Sequence, residues 1–309
     1  MRYSRKRVNP KKIIAGFKEV FKGVCVKKTR QRNFFLTLIA VSVSKTFRIN
    51  EIASRLPIAV RKEKSKEKRL LRFLETAFPC QDVMVGWLVY VLRCVWRSKG
   101  ALKQALVLID ETDLLCGWKA LVASVSFRNR AIPIYWCIYK NEEISDGTYK
   151  SHNEIIQNFC VDLHQQILQA TGAKAVEPVF VFNRGFARAK YVIKFLDDRG
   201  INVVMHVPRN VGVCVNGSLR KLDDLEEGAY SDILYHTAEA LPLNLYVVRD
   251  EAHDDPMYLI ANRIKGTQIH TYYKRRMQIE HGFRDIKSCF NFKDLVLKKR
   301  RNTAVNSFF

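Results

Sequence analysis

Apolar residues recur at helical spacing through the first hundred positions. In PKKIIAGFKEVFKGV, Ile13, Ile14, Phe17, Val20 and Phe21 fall on one side of a helix. Residues 33–43 form a second, strongly apolar segment. In FRINEIASRLP, residues 47–57, Asn50 is placed as an N-cap and Pro57 as a stop. Residues 61–77 and 81–98 complete a predicted helical region. Short helices of this kind can form a helix-turn-helix, but no recognition helix is legible.

From residue 105 the pattern becomes that of strands. ALVLID, residues 105–110, reads as a buried strand ending in an acid. Residues 118–127 and 131–139 read as two more, and the three predict a meander. A helix is predicted over 153–171, then the apolar run PVFVF (178–182), a helix over 187–197 and the strand INVVMHV (201–207). This order predicts an α/β fold, a mixed sheet with helices on its faces. Residues 208–262 carry the turn signals Asn216-Gly217 and Glu227-Gly228 and further β-rich runs, and read as a β-rich insertion. One long helix is predicted from about 270 to 288. The expected organisation is a helical region over 1–100 and a sheet domain over 101–309, interrupted at about 208–262.

Composition narrows the class. The chain has 309 residues, room for about two domains. A hydrophobic fraction of 48% excludes wholesale disorder. There is no apolar run of 18 residues, so no membrane span is expected, and the basic N-terminus lacks the apolar core of a secretion signal. The eight cysteines include no CxxC pair, as expected of reduced thiols in a cytoplasmic protein.

Charge changes the picture most. The net charge of +23 is unevenly spread. Residues 1–75 hold 22 Lys and Arg against 5 acids, and residues 271–309 hold 10 against 3. Residues 76–270 hold 21 against 22. A near-neutral middle between two basic segments fits a polyanion held by two arms, and nucleic acid is the expected partner. A solvated basic face or a membrane-surface contact are the plainer alternatives.

Three places have residues suited to chemistry. Asp110 follows the apolar run 105–109, where α/β proteins place functional carboxylates, although a turn acid would look the same. Asp113 lies three residues on. Asn183, Arg184 and Gly185 follow a second apolar run; Asn183 there also reads as a helix N-cap. In the predicted helix 270–288, Tyr273, Arg276, Glu280 and Lys287 project within about 60° of one another at 100° per residue. A Tyr and an acid among cations suit a phosphate-gripping face with one metal ligand; a polar solvent face is the alternative.

The spacing Y-x2-R-x3-E-x6-K, carried by Tyr273, Arg276, Glu280 and Lys287, resembles the YREK signature of prokaryotic DDE transposases of the "insertion sequence 4" group. LIDETD (108–113) is similar to that family's first-aspartate strand, and NRGFARAKYVIKFLDDRGI (183–201) to its second-aspartate segment. The resemblance covers about residues 105–290 and implies an RNase H-like fold with a β insertion. It implies a catalytic and metal-binding set of Asp110, residue 183 and Glu280 holding two Mg²⁺ or Mn²⁺ ions. One ion would activate a water or 3′-hydroxyl for attack on a phosphodiester and the other would stabilise the leaving oxygen. Tyr273, Arg276, Lys287 and Arg184 would contact DNA phosphates. The implied partners are double-stranded DNA, both terminal inverted repeats and target, and a second copy of the chain on DNA. No membrane role is expected, and the implied location is the prokaryotic cytoplasm at the nucleoid.

Two features depart from that pattern. Position 183 is Asn, so one metal-holding negative charge is missing and strand cleavage is expected to be severely reduced. The chain also ends 22 residues after Lys287, where members of that family often continue with further helices. A non-catalytic DNA-binding protein of transposase descent and an RNase H-fold nuclease are the competing readings.

Overall fold

The computed structural model describes residues 10–21, 24, 27–76, 79–99, 104–114, 117–171, 177–186, 189–236, 240–249 and 255–289. Most of the basic C-terminal segment, Cys25, Cys116 and the start of the helix expected at 187 lie outside the described residues. The chain divides into two compact units, residues 1–90 with 283–309, and residues 91–282.

The first unit is helical. It contains α1 (Pro10–Val20), α2 (Lys28–Ser44), α3 (Ile49–Ser54), α4 (Glu63–Leu74) and the first part of α5 (Cys80–Lys99). Leu36 and Ala40 of α2, Ile52 and Ala53 of α3, and Leu70 and Leu74 of α4 form one buried cluster. The i, i+4 spacing of the α2 and α4 pairs puts both residues of each on one helix face. A second cluster is aromatic, with Phe17, Phe21, Phe34 and Phe35 joined by successive ring contacts.

The second unit is built on one ten-stranded mixed sheet, as the α/β expectation required. β1 (Gln104–Asp113), β2 (Trp118–Phe127) and β3 (Arg130–Lys140) form the predicted antiparallel meander. After the short α6 (Glu142–Ser145), α7 (His152–Thr171) leads to β4 (Glu177–Phe182), and α8 (Ala189–Asp197) to β5 (Asn202–Val207). β4 runs parallel to β1 and β5 parallel to β4. Continuous apolar burial explains that placement: Val179, Phe180, Val181 and Phe182 of β4 and Val203, Val204 and Met205 of β5 are all fully covered. Parallel strands need cover on both faces. Ile156, Phe159, Cys160, Leu163 and Ile167 form the apolar stripe of α7, and Val192, Ile193 and Leu196 that of α8. A mixed sheet with flanking helices in this order is consistent with an RNase H-like transposase fold.

The β-rich residues extend the same sheet. β6 (Gly212–Val215), β7 (Ser218–Lys221), β8 (Gly228–Tyr235), β9 (Leu241–Val248) and β10 (Met257–Ala261) give the order β3-β2-β1-β4-β5-β10-β9-β8-β6-β7. Asn216 and Gly217, with φ of 52° and 79°, supply the left-handed pair that a tight β6–β7 hairpin demands. No helix among the described residues is long and apolar enough to cross a membrane.

Two sequence expectations need correction. The first strand does not end at Asp110. It continues to Asp113 because the antiparallel ladder with β2 runs on to the pair Asp113↔Lys119. Nor is residue 270–288 one helix. α9 (Thr267–Tyr273) gives way to a 3₁₀ turn, Lys274–Arg276, then α10 (Met277–Arg284) and a π-helical turn, Asp285–Cys289. Three consecutive cations stand at the break. The tighter turn leaves Lys274 and Arg275 exposed while Arg276 is largely covered.

Candidate functional site

The site begins where the parallel ladder of β1 and β4 ends. The last pair is Ile109↔Phe182, so Asp110 and Asn183 are the next residues on adjacent chains. Their side chains meet: the Asn183 amide Nδ2 donates to Asp110 Oδ1 at 2.6 Å. The same carboxylate oxygen accepts the backbone N–H of Glu111 at 2.8 Å. Asn183 Oδ1 accepts the N–H of Gly185 at 2.8 Å. A Cβ at Gly185 would stand 3.0 Å from that oxygen, so the glycine allows the close approach. Both ends of the amide are therefore committed, which fixes its orientation. Burial pushes the Asp110 carboxyl up to about 6, against the opposing pull of the Glu111 N–H and the Arg276 guanidinium.

α9, the 3₁₀ turn and α10 bring a second group. Arg276 Nη1 donates to Glu280 Oε1 at 2.5 Å and lies 3.7 Å from Asp110 Oδ2. Its guanidinium carbon is 5.6 Å from the centre of the Tyr273 ring. Tyr273 is buried, and its hydroxyl lies 3.2 Å from Nδ1 of His206 on β5. Arg276 Nε is buried without a hydrogen-bond partner among the described residues.

Of the residues singled out in the sequence, Asp110, Asn183, Tyr273, Arg276 and Glu280 stand together. Arg184 is exposed in the 3₁₀ turn Arg184–Phe186. Lys287 lies in the π-helical turn, in the first unit.

The donor set does not suit a divalent cation. Asp110 Oδ1 faces two N–H donors and its Oδ2 faces a guanidinium. Asn183 Oδ1 is taken by Gly185, and Glu280 Oε1 by Arg276. The cationic charge between the two acids is already supplied by Arg276. Among the described residues no group of three His, Cys, Asp or Glu is arranged to hold a metal.

The sequence reading missed the residue next to the site. Glu111 faces the opposite side of β1 and accepts from Lys119 Nζ of β2 at 2.6 Å and from the Tyr139 hydroxyl of β3. His152 Nε2, at the start of α7, is 2.8 Å from the same carboxylate. Burial alone would raise this carboxyl, but the hydrogen bonds from His152, Lys119 and Tyr139 outweigh it and hold it at about 2. Burial, then Glu111, drive the Tyr139 hydroxyl far above its ordinary range. The His152 ring stacks near Phe186, 6.5 Å between centres, so the cluster also supports the turn after Asn183. An acid at an alternate position of an apolar strand was the one available signal.

No curated protein matches the chain. Residues 159–308, just under half of the sequence, match the family described as the transposase DDE domain. That family generally uses divalent metal ions, and the match supports a DDE transposase and a transposase-like function for this chain.

Proposed function

We propose that this protein engages transposon-end and target duplex DNA as a transposase of the YREK type does, and that Asn183 suppresses its strand cleavage. Asp110, Asn183 and Glu280 occupy the catalytic positions. Tyr273, Arg276, Lys287 and Arg184 act on DNA phosphates, and the basic N-terminal region holds the terminal inverted repeat. The chain works as a homodimer on DNA at the prokaryotic nucleoid.

One observation carries the reading. The Asn183 amide donates to Asp110, and Arg276 neutralises Asp110 and Glu280 together. An Asp at 183 would set two carboxylates at that 2.6 Å separation, which is unfavourable unless a cation lies between them. Asn removes both the repulsion and the demand for the cation.

The test compares this chain with Asn183→Asp on a duplex carrying the repeat that flanks the gene. Both variants should bind the duplex. Mg²⁺-dependent nicking should be at background for this chain and rise at least about a hundredfold in Asn183→Asp. Equal, robust nicking by both overturns the suppression. The arrangement of Arg276 also favours a stricter reading, a DNA-binding protein with no cleavage left to restore. Binding by both variants with nicking by neither would support that one.

A further inference from the structure

Between α2 and α4, wholly within the first unit, lies a cleft of about 460 Å³. Arg30 lines it from α2, and Lys68, Arg69 and Arg72 from α4. No Asp or Glu is among the lining residues. Lys68, Arg69 and Arg72 stand at i, i+1 and i+4, so α4 turns three cations towards one side. The acids of that helix, Glu63 and Glu67, are outside the lining.

Arg69 shows how the cleft is built. Its Nε and Nη2 donate to Asn33 Oδ1 at 3.2 and 2.7 Å. The partner is a neutral amide, so the guanidinium is oriented without losing its charge. Among the described residues neither Lys68 nor Arg72 has a carboxylate partner. Like charges at i, i+4 repel by a few tenths of a kcal/mol, so this concentration of cations works against the fold. Small-molecule pockets of similar volume are mainly apolar with a few polar groups. This cleft inverts that proportion of residue types, which suits a string of phosphates better than a compact organic ligand.

We propose that the α2–α4 cleft is a phosphate track for the backbone of duplex DNA, with Lys68 and Arg72 as the contacting cations and Arg69, held by Asn33, as an oriented anchor. The proposal rests on the DNA-binding reading given above and assigns it to particular residues. Contacts to phosphate are blind to base sequence, so the cleft sets affinity and register and leaves the choice of sequence elsewhere.

The test measures fluorescence anisotropy of the full chain on a labelled duplex across a salt series. Three proteins are compared: wild type, Lys68→Gln/Arg72→Gln, and the control Lys18→Gln/Arg55→Gln, which removes the same charge outside the cleft. Circular dichroism and melting confirm that all three fold alike. Each lost phosphate contact should lower the slope of log K against log salt by about one, so the cleft variant should lose about two and weaken on all sequences alike. The control should keep most of the wild-type slope. Equal losses in both variants would reduce the cleft to part of a diffuse field and overturn the proposal. So would a cleft variant that binds DNA as wild type does, or wild type that binds anionic vesicles and not duplex through these residues. Wild type that binds no DNA at all would instead overturn the functional reading on which the proposal stands.

Discussion

Asp110 and Glu111 are consecutive residues of one strand, and their carboxyls are driven in opposite directions. Glu111 meets donors from β2, β3 and α7 and is held at about 2. Asp110 is the more buried of the two and is pushed up to about 6, although it too has N–H donors. Burial acts on both; the strength and number of charged donors decide the sign. The Glu111 face is a finished piece of structure, its carboxylate partnered by a lysine, a tyrosine hydroxyl and a histidine ring. The Asp110 face shares one arginine with Glu280 and has a neutral amide as its other side-chain partner. Pleating alone puts these two environments back to back.

The largest expected effect comes from breaking the finished face. Glu111→Ala leaves Lys119, Tyr139 and His152 without their common acceptor and should cost about 3 kcal/mol in urea unfolding. A loss below about 0.5 kcal/mol would mean that the three donors are satisfied without it.

The second effect concerns Asp110 and pH. Its folded value is raised above the ordinary 3.8 to about 6, so the folded protein holds that proton more tightly than the unfolded chain. The resulting stability is fully present below pH 3.8 and is lost as pH rises through about 6. Glu111, lowered to about 2, works the other way; its contribution is present above 4.5 and lost as pH falls towards 2. In EDTA-containing buffer, Asp110→Asn should therefore gain on wild type by about 2 kcal/mol between pH 4 and pH 7. A difference that stays flat across that range would remove the contrast between the two carboxyls.

The smallest effect sharpens the comparison. Lys119 is one of three donors to Glu111 and is partly exposed, so Lys119→Met should cost only about 0.5 kcal/mol, measured by thermal melting. A loss as large as that of Glu111→Ala would make the lysine the sole support of the finished face.

Much of the sheet is legible in the sequence because its evidence is local. ALVLID and PVFVF are continuous apolar runs, and such runs suit strands covered on both faces. The equal height of Asp110 and Asn183 follows from their place after those runs. The Glu111 cluster is not legible, because its partners lie 8, 28 and 41 residues away and meet only through strand register and the start of α7. Reading the strand as finished at Asp110 also hid the alternation that turns Glu111 to the other face. The break at Lys274–Arg276 was hidden for a different reason. Lys and Arg are good helix formers, and the turn's distant partners, Asn129 for Arg275 and Asp110 for Arg276, leave no local trace in the sequence.

The turn after β4 has a consequence for descent. Gly185 offers its N–H to an oxygen of residue 183, and either an amide or a carboxylate can supply that oxygen. Asp and Asn codons differ by one base in the first position. The backbone turn accommodates that exchange, and Asp110 across the ladder registers it. A lineage carrying this turn can pass between the two residues in a single mutational step, in either direction, without rebuilding the fold around them.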